Sequence, residues 1–373
     1  MRVPFADLRD TLRDIQVKHG MSPARAELSA RLFAEASADG FPSHGLNRFR
    51  PFIASIERGL VVVNATPTCA SENGALERWD GQRGPGNLNA HRCMARAIEL
   101  AHNHGVGVVA LANTNHWMRG GAYGWQAADA GVVGMCWTNT FPNLPPWGAT
   151  SVRIGNNSLV IAVPRTDGHV VLDMAMSQFS YGALAVARMR GTELPVDGGY
   201  DAEGKLTRDP AAIEATGRLL PTGYWKGSGL AIVLDMVAAL LSGGRSTHEI
   251  PGGVAAETGQ SQVFLCFDTS VPGAADTVST VAGRIIDDLH LAGDDVCYPG
   301  ERTLKTRLLS HAEGVEVGRR DPGDGPRDVI AGVAAQRDSR RALRLRGGQT
   351  AQNLDFDLPS ATIEELARGG AAW

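Results

Sequence analysis

The stretch VGVVALANTNHWMRGGAYGWQAADAGVVGMCWT, residues 106–138, indicates the fold class of this chain. It begins with an apolar, β-branched run over 106–112, which is typical of a buried strand. A helical segment over 122–130 follows, and a second strand-like run over 132–138 comes directly after it. Strands that alternate with helices in this way predict an α/β sheet.

The same alternation extends along the chain. Further helices are predicted where apolar residues recur at helical spacing, over 90–104, 179–189, 227–241 and 277–289. Further strands are predicted where short apolar runs occur, over 159–163, 170–174 and 262–267. The helix over 227–241 is strongly apolar, and we expect it at the centre of the core.

The first part of the chain is predicted to be helical. Apolar residues recur at helical spacing in a first helix that stops at Gly20. Ser22 and Pro23 are a favoured N-cap and a favoured first residue, so a second helix begins there. A third helix is expected over 47–58.

These patterns divide the chain into three parts. A helical N-terminal segment, 1–60, is predicted to pack with 280–318, and an α/β core spans 61–280. The remainder, 319–373, has weak hydrophobic periodicity, with eight arginines and no lysine over 319–348. We interpret it as a poorly ordered tail or an added appendage, and a basic tail that docks on nucleic acid is the alternative.

Composition narrows the class of protein. The chain has 373 residues, a formal net charge of -4, 43% hydrophobic residues and 20% charged residues, as in ordinary soluble globular proteins. Because there is no global basic field, nucleic acid is not expected as the main partner. The apolar stretch 230–241 is interrupted by Asp235 and is short for a bilayer span, so no membrane association is expected either.

The cysteines and the N-terminus indicate a cytoplasmic protein. The five cysteines are scattered without a CxxC pair, which argues against a disulfide framework and against a zinc site: Cys69, Cys93, Cys136, Cys266 and Cys297. The first residues, MRVPFADLRDTLRD, carry charges every few positions and lack the apolar core of a signal peptide. No metal site is predicted.

The usual dinucleotide-binding fingerprint is absent from the sequence. GPGNLN from Gly84 and GSGLAI from Gly227 both lack the third glycine of GxGxxG, and no Walker A motif occurs. A Rossmann fingerprint is therefore not used.

The loop FPSHGLNR, residues 41–48, is the first candidate site. His44 titrates near neutrality and can give a proton to a carbonyl oxygen. Arg48, four residues later, suits a substrate carboxylate and would share a helical face with His44. The alternative is that Ser43 only caps the helix and His44 is an exposed loop residue.

The loop NTNHWMRGG, residues 113–121, follows a strand, where α/β sheets place ligands. His116 and Arg119 are candidates to contact substrate or cofactor there. The alternative is a turn that begins a helix, with Trp117 as a core aromatic.

Three further segments carry candidate residues. Asp173, at the end of an apolar strand, is placed to orient His44 and stabilise its charged form, or else to cap a neighbouring turn. Lys226 near a helix N-terminus calls for an anionic partner such as a phosphate, or else faces solvent. Glu301 is a candidate for ribose hydroxyls, and a surface turn is the alternative.

At these residues the sequence resembles the type-2 malate/L-lactate dehydrogenase family. The resemblance covers roughly residues 1–310 and is carried by long motifs in order: SHG with Asn47-Arg48-Phe49, NHWMRGGAYGWQAA, CWTN, PPWGA, DM-x-MS with FSYG, LPVDGG and GYWKGSGL-x-IVLDM. The versions WMRGG, PPWGA and GYWKGSG resemble more specifically the branch of that family that reduces 2,3-diketo-L-gulonate.

The resemblance implies a non-Rossmann α/β dehydrogenase fold with a helical N-terminal segment, a homodimer, and a cofactor bound near the subunit interface. It implies that His44 is the proton donor. It assigns cofactor binding to three segments, which are Leu172, Asp173, Met174, Ala175, Met176, Ser177 and Gln178; Trp225 and Lys226; and Gly300, Glu301 and Arg302. The branch uses NADH, and NADPH is the alternative.

The resulting hypothesis is NADH-dependent reduction of a keto group in a 2-keto sugar acid, namely 2,3-diketo-L-gulonate to 3-keto-L-gulonate. The core over 61–280 is expected to bind both cofactor and substrate. His44 and Asp173 form the catalytic pair, and Ser43, Arg48, His116 and Arg119 bind the substrate, with its carboxylate on Arg48. Another 2-keto acid or a cyclic imine carboxylate is the nearest alternative substrate, and an inactive ligand-binding homologue is the alternative from another class.

Two features of the chain depart from the family pattern. Gly155-Asn156-Asn157-Ser158 stands where relatives tend to read GTNP, and losing the proline is expected to loosen that turn. The chain after about Gly318 follows no family pattern.

Overall fold

A computed structural model describes residues 1–253, 256–270 and 275–317. The helices are α1 Phe5–Lys18, α2 Pro23–Ala38, α3 Leu46–Glu57, α4 Gly86–His104, α5 Gly121–Asp129, α6 Tyr181–Arg190, α7 Pro210–Thr216, α8 Trp225–Ser242, α9 Ala275–His290 and α10 Glu301–Glu313. The strands are β1 Arg2–Val3, β2 Thr68–Asn73, β3 Leu76–Asp80, β4 Val106–Thr114, β5 Val132–Thr138, β6 Leu159–Val163, β7 Val170–Met174, β8 Gly199–Tyr200, β9 Leu206–Thr207, β10 Gln260–Asp268 and β11 Val315–Glu316.

A seven-stranded mixed sheet forms the centre of the molecule, in the order β2-β3-β4-β10-β5-β6-β7. Only β3 and β4 pair in parallel, and the other neighbours are antiparallel. Strand β10 lies between β4 and β5 although it follows them by more than a hundred residues. The predicted α/β class is confirmed, and the observed β5, β6 and β7 have the predicted bounds.

Helices cover both faces of this sheet because its central strands are apolar on both faces. On one face α4 and α5 bury a cluster that includes Met94, Trp117 and Phe264. On the other face α8 packs against the sheet with Ala231, Leu234 and Ala238. Eight of the observed elements were not predicted from the sequence, namely strands β1, β2, β3, β8, β9 and β11 and helices α7 and α10.

Helix α8 is not central to the core, so that prediction is wrong. Its buried residues recur every three or four positions, whereas Val233, Met236 and Leu240 on the opposite side are 54%, 57% and 73% exposed. By length and apolar composition alone this 18-residue helix would be able to cross a membrane, which the shorter predicted stretch did not indicate. One face of α8 instead covers the sheet.

The N-terminal helices form a separate apolar cluster around Leu12, Phe33 and Phe49. The chain returns to this cluster near its end, where β11 pairs with β1 and α10 contacts α2. The predicted tail over 319–373, and with it the Arg-rich segment, lies outside the described residues.

Candidate active site

The loop that carries His44 is held by helix α2. Ser37 Oγ accepts a hydrogen bond of 2.9 Å from Leu46 N and so caps α3 from outside that helix. A Cβ on Gly45 would lie 2.2 Å from Ser37 Oγ and 2.9 Å from Phe33 O, so only glycine fits there. The alternative that Ser43 caps the helix is wrong, because this role belongs to Ser37.

His44 lies half-buried between Ser43 and His116. Ser43 Oγ is 3.1 Å from His44 Nδ1, and the rings of His44 and His116 stack with centroids 6.0 Å apart. Met118 N donates to His116 Nδ1 at 3.0 Å, so the proton of a neutral His116 resides on Nε2. The two loops singled out in the sequence therefore meet at their histidines.

The surroundings favour neutral imidazoles. Burial lowers the pKa of His44, Asp173 raises it, and Arg48 and Arg119 lower it further. Burial, with Arg48 and His44 as lesser causes, holds the pKa of His116 well below 6.5. At neutral pH His116 is thus a neutral hydrogen-bond donor through Nε2.

Arg48 pairs with a residue that the sequence analysis missed. Its Nη2 lies 3.1 Å from Oε2 of Glu257, whose side chain is 2% exposed. Gln260 Nε2 donates to the other carboxylate oxygen at 2.6 Å. Burial raises the pKa of Glu257 to about 6, although Arg48 opposes the shift. Glu257 sits 209 positions from Arg48, and no local pattern marks it.

A cleft opens between α3 and the loop after β4. Its polar lining consists of Arg48, Ser55, Asn115, His116 and Glu257, and its other walls are apolar. A carboxylate in this cleft would meet the Arg48 guanidinium beside His116, on which the His44 ring stacks.

Asp173 lies at the end of β7, next to the start of α5. Its Oδ2 accepts from Gly121 N at 2.9 Å, which is the alternative capping role, and no hydrogen bond to His44 occurs among the described residues. Asp173 therefore acts on His44 through its charge rather than through contact.

Arg119 is engaged inside the fold. Its Nη1 pairs with Asp39, its Nε lies 3.8 Å from Asp173 Oδ2, and its guanidinium stacks on the Phe41 ring at 4.3 Å. The side chain is 4% exposed and does not line the cleft. This geometry argues against the predicted contact between Arg119 and the substrate. Arg119 is instead placed to hold Asp39, Phe41 and Asp173 in position. Trp117 is a core aromatic, as the alternative for this loop held.

Two of the predicted cofactor segments lie side by side. Met176 O accepts from Thr222 N at 2.8 Å, and Gln178 N donates to Leu220 O at 2.7 Å. These bonds place the segment after β7 against the loop that leads to Trp225, which is 66% exposed, and to the exposed Lys226. Tyr224 adopts a positive φ of 60° where this loop enters α8.

The third segment adjoins the beginning of β7. Val171 N donates to Pro299 O at 2.8 Å, which sets Gly300 beside the strand. Glu301 begins helix α10 rather than forming a surface turn, and its carboxylate bonds to His290, Lys305 and Tyr298 N. Arg302 is exposed in the first turn of α10.

Ser177 supplies a test of whether this region fits a polar ligand. Its Oγ is buried and makes no hydrogen bond among the described parts of the chain. A buried hydroxyl without a partner is costly, so a ligand with hydrogen-bonding groups suits this place. The segment after β7 thus offers one buried hydroxyl to a polar ligand such as a cofactor.

Comparison with known proteins identifies the family of this chain. Residues 3–320 match the family model described as malate/L-lactate dehydrogenase. A 2,3-diketo-L-gulonate reductase of Klebsiella pneumoniae (strain 342) is 50% identical over 324 residues, which cover 85% of this chain and 97% of that protein.

Solved structures show the same fold. Sulfolactate dehydrogenase from Methanocaldococcus jannaschii aligns with a TM-score of 0.80 at 25% identity, covering 91% of this chain and 97% of that one. Delta1-piperideine-2-carboxylate reductase from Pseudomonas syringae pv. tomato aligns with a TM-score of 0.78 at 29% identity, covering 85% and 96%. The predicted dehydrogenase fold is confirmed, and the chain belongs to the malate/L-lactate dehydrogenase family of oxidoreductases.

Proposed function

We propose that this protein is an NADH-dependent reductase of a 2-keto sugar acid, 2,3-diketo-L-gulonate, which it converts to 3-keto-L-gulonate. The observation that carries the proposal is that His116 and Arg48 line one cleft while the His44 ring stacks on His116, which brings a proton donor close to a carboxylate anchor. The 50% identity to a protein named for this substrate supports the choice among keto acids.

Each of the proposed site residues has a distinct role. Arg48 binds the substrate carboxylate, since its fork of donors matches two carboxylate oxygens. His116 donates from Nε2 to a substrate oxygen, and Ser43 orients the His44 ring through Nδ1. His44 in its protonated form gives a proton to the carbonyl oxygen next to the carboxylate and regains it from solvent.

The cofactor is proposed to lie along the segments Leu172–Gln178, Trp225-Lys226 and 300–302. When bound, the reduced nicotinamide supplies the hydride that the carbonyl carbon accepts. Lys226 provides a cation for phosphate, and the buried Ser177 hydroxyl finds a hydrogen-bonding partner. Asp173 favours the protonated form of His44 by its charge.

We also propose a cytoplasmic homodimer. The outer face of α8 carries an apolar stripe made of Leu230, Val233, Met236 and Leu240. A contiguous exposed apolar stripe is typical of a protein interface. Leu240→Glu should shift the protein from dimer to monomer in light scattering, and a dimer that is unchanged would rule out this face.

An NADH-oxidation assay tests the activity. The purified protein is given 2,3-diketo-L-gulonate, pyruvate, oxaloacetate, a sulfonated 2-keto acid and a cyclic imine carboxylate, each with NADH and with NADPH. The proposal expects the highest kcat/KM with 2,3-diketo-L-gulonate and NADH. A higher value for the cyclic imine or another keto acid would replace the substrate, and no turnover of any compound would favour an inactive ligand-binding homologue.

A further inference from the structure

The cleft that is proposed to bind the substrate carboxylate also contains a carboxylate of the protein itself, that of Glu257. Glu257 lies against Arg48 at 3.1 Å, and its side chain is 2% exposed. A buried carboxylate next to an anion-binding arginine reduces the attraction of the site for anions. The presence of Glu257 at this position therefore needs an explanation other than affinity for the substrate carboxylate.

The charged side chains on the cleft walls can bind only one anionic group of a substrate. Among the described residues that line the cleft, Arg48 is the only cation and Glu257 the only anion, while His116 is held neutral by burial. One substrate carboxylate can pair with a free edge of the Arg48 guanidinium, which has five donors. The protonated His44 is directed at the substrate carbonyl oxygen, so a second anionic group would find no free cation on the described cleft walls and would lie near Glu257.

A substrate whose carbon chain carries hydroxyl groups, rather than a second anionic group, would be attracted to Glu257. The Glu257 carboxylate accepts hydrogen bonds from Arg48, Gln260 and the Phe141 backbone. Its two oxygens offer about four acceptor sites, so one remains for a donor on a ligand. Hydroxyl groups of a sugar acid are donors of the kind that a desolvated carboxylate binds well. The same side chain therefore repels a second anion and attracts a polyol.

We propose that Glu257 is a specificity-determining residue that excludes 2-keto dicarboxylates and favours polyhydroxylated 2-keto monocarboxylates. This inference rests on the proposed function, because it assumes that the cleft holds the keto acid. Arg48 supplies the common anchor for all of these compounds, and Glu257 distinguishes what is attached beyond the keto group.

The test compares kcat/KM for three probes in the wild type and in Glu257→Gln. Pyruvate is the reference, since it has one carboxylate and no hydroxyl, oxaloacetate adds a second carboxylate, and 2,3-diketo-L-gulonate adds hydroxyls. Relative to pyruvate, Glu257→Gln should gain about tenfold or more on oxaloacetate and lose about tenfold on the sugar acid. Glu99→Gln, which removes an equal charge from the exposed side of α4, should leave both ratios unchanged.

The melting curve of Glu257→Gln shows whether this variant is folded. A second variant tests the same idea independently, in case Glu257→Gln does not fold. Ser55→Lys places a cation on another wall of the cleft and should raise the oxaloacetate-to-pyruvate ratio in the same direction. If both ratios stay within about twofold of wild type in folded Glu257→Gln, the specificity role is overturned while the proposed function stands. A wild type that reduces none of the three probes overturns the proposed function itself.

Discussion

Replacing Asp39 by asparagine should destabilise the protein more than replacing Arg307, the partly exposed arginine that pairs with it. Asp39 is 3% exposed at the end of α2 and accepts hydrogen bonds from Arg119 and from Arg307, the latter at 2.7 and 2.8 Å. The three side chains tie α10 and the loop after β4 to the chain that leads into His44. The Asp39→Asn change keeps the shape of the side chain and removes its charge.

The magnitude follows from the burial of each arginine. Arg119 is 4% exposed, and without the Asp39 charge its remaining ion pair among the described residues is with Asp173 at 3.8 Å, so a buried cation loses its main partner. Breaking a buried ion pair from one side costs about 3–5 kcal/mol. Arg307 is 30% exposed and can turn toward water once the Asp39 charge is gone, so it adds little to the cost of Asp39→Asn. Arg307→Met leaves Asp39 paired with Arg119 and should cost less, about 1–2 kcal/mol.

Thermal melts of the single variants and of the double variant Asp39→Asn/Arg119→Met provide the assay. The double variant removes both the charge and the buried cation it would have left, so it should recover about 2 kcal/mol relative to the sum of the two single losses. A loss below about 1 kcal/mol in Asp39→Asn, or strict additivity of the pair, would contradict this account of the ion pair.

His44→Ala should lower turnover by about 10²–10⁴-fold and leave NADH affinity, followed by fluorescence titration, within about twofold of wild type; equal turnover would exclude the proton-donor role. Because burial lowers the pKa of His44 and the protonated ring is the donor, kcat/KM for reduction should fall as pH rises through a midpoint below 6.5, and a midpoint above that value would contradict the assignment. Gly45→Ala should destabilise the protein by about 1–3 kcal/mol because its Cβ would meet Ser37 Oγ at 2.2 Å. The matched control Gly229→Ala, in open space on α8, should stabilise by up to about 1 kcal/mol, and equal melting temperatures of the two would count against the clash at Gly45.

Secondary structure could be predicted from the sequence wherever a single local pattern is sufficient. The runs that form β5, β6 and β7 are apolar and β-branched, so their bounds were predicted correctly, and the helices α1 to α3 follow from apolar spacing with a proline at the start of α2. The long motifs around His44, His116 and Trp225 were enough to indicate the family, since they extend in order along most of the chain.

Only the tertiary structure shows which of these residues lie in contact. Arg48 finds Glu257 across 209 positions and Asp39 finds Arg307 across 268, and no local periodicity records such pairs. The same holds for α8, whose apolar residues lie on both of its sides, so its sequence could not say which side the sheet would cover. Pairing between distant segments depends on how strands such as β10 insert between earlier ones, and that order is set by the packing of the whole chain rather than by any one stretch of it.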